Sequence, residues 1–169
     1  MTKEKILILD FGSQYTHLIK STLVRLGIDS VIEPADLPCL SSKEYAIRGV
    51  ILSGGACSVN QDKIPFDKKW LSIGVPILGI CYGHHLLARV FGGEVEKTNG
   101  EYGKEIVRCN TLSPIFSGIE QESVVWMSHS DSVIKLPKGF SSIASTRDRK
   151  NAAICYESKN IYGLQFHPE

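Results

Sequence analysis

The sequence has no apolar run approaching the roughly 20 residues of a membrane-spanning helix. Only four apolar residues follow the opening Met1-Thr-Lys-Glu-Lys5, too few for the core of a signal peptide, so the expected location is cytoplasmic. Strong charge of either sign is also missing. A formal net charge of +1 leaves no electrostatic footprint for nucleic acid or an acidic membrane. The five cysteines, at 39, 57, 81, 109 and 155, are odd in number and lack CxxC spacing, which argues against a disulfide framework and a zinc site. No internal repeat, low-complexity tract or linker interrupts the chain. What is present is 169 residues, 43% hydrophobic and 22% charged, enough for one domain with a core and too few for two of ordinary size.

Lys5-Ile-Leu-Ile-Leu-Asp10 is a continuous apolar run ending in a carboxylate, as in an inner strand of a parallel sheet. Leu18, Ile19, Leu23 and Leu26 then recur at helical spacing up to Gly27, a natural helix stop. Further strands are predicted over Ser30–Glu33, before Pro34 and a loop to about Lys43, and over Arg48–Ser53, before Gly54-Gly55. A helix is predicted around Phe66–Ile73. After Gly92-Gly93 the pattern changes to short segments at hairpin spacing: Glu94–Lys97, Glu105–Cys109, Ser123–Met127, Val133–Leu136, Ser141–Thr146, Ala152–Glu157 and Ile161–Phe166. The expected fold is α/β: an open, mainly parallel sheet flanked by helices, with antiparallel strands in the C-terminal half. Arg147, Arg149 and Lys150 read as a solvated hairpin tip.

The chemistry centres on Val75-Pro-Ile-Leu-Gly-Ile-Cys81-Tyr-Gly83. A buried strand enters a tight turn with glycine on both sides of Cys81, and Leu86, Leu87, Val90 and Phe91 continue at helical spacing. This is a nucleophile-elbow pattern, and the following helix N-terminus favours thiolate over thiol at the bend. The chain closes on Gln165-Phe-His-Pro-Glu169. In an extended segment His167 and Glu169 project to the same side, so the carboxylate can orient the imidazole while its other nitrogen serves the thiol.

Gly79-Ile-Cys-Tyr-Gly83 with Gln165-Phe-His-Pro-Glu169 resembles the class I (triad) glutamine amidotransferase family. Leu9-Asp-Phe-Gly-Ser-Gln-Tyr15, Leu52-Ser-Gly-Gly55 and Val125-Trp-Met-Ser-His-Ser-Asp131 narrow the resemblance to the N-terminal glutaminase domains of GMP synthetases. The resemblance implies hydrolysis of the glutamine side-chain amide by Cys81 through a γ-glutamyl thioester, with His167 shuttling protons and Glu169 orienting it. It implies an oxyanion hole at the backbone N–H groups of Gly55 and Tyr82, and glutamine contacts from His85, Ser128, Ser130 and Asp131. Trp126–Asp131 is expected to be a loop, with His129 as its structural member, and the isolated His17 reads as solvent-facing. No metal and no cofactor are implied for the glutaminase reaction. ATP and Mg2+ are expected only at an ATP-pyrophosphatase (synthetase) domain, in cis or in trans, that aminates XMP to GMP. That domain and the dimerisation domain are absent from the sequence, so 1–169 is expected to be a single amidotransferase domain cut short at its C-terminal end.

Three positions depart from the family pattern: His85 replaces a glutamine, Ala56 a proline and Ser130 a glycine. His85 should face the substrate pocket and add pH dependence below about 6.5. Ala56 should loosen the oxyanion turn, with Cys57 near the pocket. Ser130 argues against a left-handed backbone at that position. Two alternatives stay open: the glutaminase subunit of another amidotransferase, or a degenerate domain that binds glutamine or a partner without turnover.

Overall fold

In a computed structural model describing residues 3–39, 45–61 and 64–169, the alternating apolar segments form one nine-stranded sheet. The strands are β1 (Glu4–Asp10), β2 (Ser30–Pro34), β3 (Ala46–Leu52), β4 (Ile77–Ile80), β5 (Glu94–Cys109), β6 (Glu122–Lys135), β7 (Ser141–Ser145), β8 (Ala153–Tyr156) and β9 (Ile161–Leu164). Their order is β2-β1-β3-β4-β9-β8-β7-β5-β6. The first four pairings are parallel and the last four antiparallel. The sheet is therefore evenly mixed rather than mainly parallel, and the antiparallel strands extend it. The final strand joins the halves, running parallel to β4 and antiparallel to β8.

Burial explains the unbroken apolar run of β1. Leu7, Ile8 and Leu9 are all fully buried, because both faces of this strand are covered. Ile8 packs with Ile19 of α1 (Thr16–Arg25) and with Ile80. Leu7 and Leu9 pack with Val50, Trp70 and with Leu87 and Ala88 of α2 (Tyr82–Val90). α1 stops where the glycine signal placed it. Gly27 takes a φ of 73°, its N–H reaches the Val24 carbonyl, and the Ile28 N–H reaches Leu23, both at 2.9 Å. This pair of hydrogen bonds to the last turn is the Schellman arrangement.

The expected helix at Phe66–Ile73 is instead a 3-10 segment, Lys68–Ser72. The Asp67 side chain caps it by accepting from the Lys69 N–H at 3.0 Å, and the stretch between Pro65 and Gly74 is too short for a cooperative α-helix. Part of the predicted loop to Lys43 falls at 40–44, outside the described residues. The segments expected at Glu94–Lys97 and Glu105–Cys109 are one long strand with a register shift between Lys97 and Glu101. Ser123–Met127 and Val133–Leu136 likewise merge, so Trp126–Asp131 is strand and not a loop. Among the described residues no helix is long and apolar enough to cross a membrane.

The turn between β4 and α2 is fixed by close approach. A Cβ on Gly79 would meet the Gly83 backbone, and a Cβ on Gly83 would meet the Leu52 backbone and side chain. Two histidines of α2 lie beneath it: His84 is 0% and His85 4% exposed. The His84 ring is enclosed against the backbone of Gly163 and Asn151. Burial, reinforced by neighbouring His85, holds His84 well below the usual histidine range. Burial also pulls His85 down to about 4.

Two outcomes are expected. Gly83→Ala forces backbone against backbone and costs about 2–3 kcal/mol or more, read as a lower urea midpoint with an unchanged slope. Because His84 and His85 stay neutral while the unfolded chain takes up protons near its ordinary histidine value, stability present above pH 6.5 is lost as pH falls toward 4. His85 alone contributes about 3 kcal/mol to that loss. Urea titrations at pH 7 and pH 4.5 measure it, and His85→Gln flattens the difference.

Candidate active site

Cys81 sits at the elbow with φ 51° and ψ −100°, a left-handed conformation that costs a side-chain-bearing residue about 1–3 kcal/mol unless its surroundings impose it. Here they do. The Cys81 N–H donates to the Leu164 carbonyl of β9 at 2.7 Å, and the Gly83 N–H donates to the Ser53 carbonyl beyond β3 at 3.2 Å. The Ser53 hydroxyl in turn accepts from the Phe11 N–H at 2.9 Å. Three strand ends thus converge on one turn.

β9 ends at Leu164, and the chain that follows carries His167 to the same place. Its N–H donates to the Trp126 carbonyl of β6 at 3.0 Å, an isolated antiparallel bridge. His167 Nδ1 pairs with Glu169 Oε1 at 2.8 Å, the side chains being 8% and 4% exposed. Cys81 lies on the other side of the ring, close enough to act on the imidazole. Burial alone would pull His167 down, but Cys81 and Glu169 outweigh it and push its pKa up to about 9. The thiol also donates toward the Ser128 carbonyl at 3.7 Å. The structure therefore brings together Cys81, His167 and Glu169, and Gly54 leaves room for them: a Cβ there would lie 3.4 Å from His167 Cε1 and 3.7 Å from Cys81 Cβ.

These groups open onto a cavity of roughly 680 Å3 whose lining includes Gly55, Tyr82, His85, Ser128, Ser130 and Asp131. Gly55 must be glycine, since a Cβ would lie 2.7 Å from the Phe11 carbonyl oxygen. Ala56 and Cys57 also line the cavity and are exposed. His85 reaches the cavity wall, but its Nε2 is engaged with Gln165 Oε1 at 2.7 Å. With its pKa held near 4 by burial, the pH dependence expected near 6.5 from this residue moves well into the acid range. The strand alternation separates the other three: Asp131 is buried, Ser128 exposed and Ser130 half-buried. Ser130 lies within extended strand, and among the described non-glycine residues only Cys81 and Asn160 have positive φ.

Several partners carried no sequence signal. Asp131 accepts a hydrogen bond from the Ser58 hydroxyl across 73 positions. His129 is buried and bonded to Glu101 across 28. The ring of Tyr15 lies 5.0 Å from that of His167. Arg149 is not simply solvated, since its guanidinium donates to Thr98 Oγ1 at 3.1 Å. His17 is exposed on α1, as expected. Among the described residues no three His, Cys, Asp or Glu side chains are gathered to hold a metal.

This geometry can be set beside known proteins. The chain is 45% identical over 171 residues to a Caldicellulosiruptor saccharolyticus protein named GMP synthase [glutamine-hydrolyzing], covering all of this chain and 34% of that one. A Staphylococcus saprophyticus protein of the same name is 45% identical over 169 residues, 99% of this chain and 33% of that one. The chain thus spans about a third of the length of these curated relatives. Among solved structures, a Thermoplasma acidophilum protein provisionally described as one of the subunits of a GMP synthase superposes with a TM-score of 0.84 at 32% identity, over 99% of this chain and 85% of that one. A Thermotoga maritima glutamine amidotransferase shares the fold at a TM-score of 0.77 and 22% identity, over 99% of this chain and 76% of that one. The family profile described as glutamine amidotransferase class-I matches residues 7–169. A match running from the first strand to Glu169, on a fold shared nearly end to end, means that this chain belongs to the class-I glutamine amidotransferase family.

Proposed function

We propose that the chain hydrolyses the side-chain amide of glutamine and supplies the ammonia to a synthetase that aminates XMP to GMP. The observation that carries the reading is the convergence of a strained elbow cysteine with the His167–Glu169 pair at one cavity. The Cys81 sulfur attacks the carboxamide carbon, its proton having passed to His167. The oxyanion is met by the backbone N–H groups of Gly55 and Tyr82. His167, held protonated by Glu169 and the sulfur, gives its proton to the departing nitrogen, releasing ammonia and leaving a γ-glutamyl thioester. The ring then takes a proton from water as the water attacks the thioester, and returns it to the sulfur as glutamate leaves.

Glutamine is oriented by the cavity wall at Ser128, Ser130 and Asp131, where the carboxylate suits an α-ammonium group. His85 contributes shape and a neutral ring rather than a titrating contact. No cofactor takes part in this half-reaction; ATP and Mg2+ belong to the synthetase site. The names and lengths of the curated relatives support the synthetase as partner, fused or separate. So does the outer face of β5 and β6. Tyr102, Ile106, Val124 and Trp126 are 49–67% exposed there, in adjacent register, beside the cavity that Tyr102 helps to line. A synthetase seated on this apolar face would cover the ammonia exit. We place the reaction in the cytoplasm, where the five free thiols, Cys81 among them, stay reduced.

The reading is tested by ammonia release from glutamine. Cys81→Ala should lower the rate at least about 10³-fold, and an electrophilic glutamine analogue should modify Cys81 stoichiometrically; turnover surviving in Cys81→Ala would sink the mechanism. A second outcome concerns pH. Because His167 is pushed up to about 9, the imidazolium that protonates the leaving group persists through neutrality, and kcat/KM should fall only as pH rises through about 9. Glu169→Gln should bring that basic limb to lower pH; a wild-type limb near 6.5 contradicts the proton inventory.

A further inference from the structure

The strand segment that walls the glutamine cavity is held by a buried pair, of which His129 also borders the cavity. Glu101 and His129 face each other in register across β5 and β6 and are 7% and 5% exposed. His129 Nε2 lies 2.9 Å from Glu101 Oε2, and its Nδ1 lies 2.7 Å from the Asp131 carbonyl oxygen. The second oxygen of Glu101 accepts from the Thr146 hydroxyl. Both ring nitrogens and both carboxyl oxygens thus have hydrogen-bond partners, the condition under which buried polar groups are tolerated.

The position of this pair matters because of what lies on either side of it in the chain. The Ser128 carbonyl faces Cys81 Sγ. The Asp131 carboxylate, held by Ser58, lines the substrate cavity. His129 sits between them and ties its own strand, through the Asp131 carbonyl, to the bulged part of β5.

Resting on the glutaminase reading above, we infer that Glu101 and His129 are positioning residues for glutamine, setting substrate affinity through the Ser128–Asp131 strand while leaving the chemical step to the Cys81 group. The roles separate kinetically. A group acting through the cavity wall alters KM, whereas damage to the fold alters the fraction of active enzyme. The inference also distinguishes two changes at one site. Glu101→Gln can donate its amide to a neutral His129 and accept from Thr146, so every partner is kept; Glu101→Ala leaves His129 Nε2 and the Thr146 hydroxyl unpaired.

The experiment measures glutamine hydrolysis by the whole chain, normalised to sites titrated with an electrophilic glutamine analogue, and glutamine binding by calorimetry in Cys81→Ala. Glu101→Ala and His129→Ala are expected to raise KM, and Kd in the Cys81→Ala background, about tenfold with kcat within about threefold, while Glu101→Gln stays within about threefold on all three. If the alanine variants fail to fold, Thr146→Val, which removes one hydrogen bond from the same carboxylate, should raise KM a few-fold. Unchanged KM and Kd in the variants that fold, or a fall in kcat with KM unchanged, overturns the inference while the glutaminase reading stands. A wild-type chain that releases no ammonia, or a Cys81→Ala chain that still does, overturns both.

Discussion

The left-handed backbone at Cys81 is the constraint to which the rest of the molecule is fitted. A cysteine at φ 51° is held only where its neighbours leave no alternative. Here helix α2 must start almost on top of strand β4, close enough that neither Gly79 nor Gly83 has room for a Cβ. The N–H bond from Cys81 to Leu164 then requires β9 beside β4. That requirement accounts for the topology. The last strand in sequence occupies the middle of the sheet, and the chain leaving it delivers His167 and Glu169 to the sulfur.

This economy explains why the grouping of Cys81, His167 and Glu169 was legible from sequence. Cys81 is flagged by glycines that are close-approach residues, and His167 and Glu169 are spaced two apart in an extended segment, a local relation that needs no tertiary information. The inner strands were legible for a similar reason: burial on both faces writes a continuous apolar run, as in Ile6–Leu9. The long β5–β6 hairpin was not. Thr98-Asn99-Gly100 and Ser128-His129-Ser130 are polar, and in a pattern-based reading polarity breaks a strand. In the fold Ser128 and His129 pair with Tyr102 and Glu101 through the backbone, while Thr98-Asn99-Gly100 form the irregularity opposite Ser130, where polar groups find each other. Thr98, for example, donates to the Ser130 carbonyl at 3.2 Å.

The rest of the cavity wall was less legible because its contacts are long-range. Ser58 with Asp131, Glu101 with His129 and His85 with Gln165 join residues 73, 28 and 80 positions apart. No periodicity links them, and each residue alone reads as an ordinary polar side chain. His85 shows the consequence. Helical spacing from Cys81 correctly faces it toward the cavity, but only its burial, which outweighs the Gln165 contact, reveals that it stays neutral far below its ordinary range.

That neutrality bears on how charge is distributed around the sulfur. The N-terminal end of α2 presents a partial positive charge at Cys81, and His167 adds a full one that Glu169 and the sulfur hold in place. His84 and His85, on the first turn of the same helix, would add two more if protonated. Burial prevents it, reinforced at His84 by His85 and at His85 by His129. Positive charge beside the sulfur therefore comes from the helix end and from His167, and the two buried histidines of the helix add none.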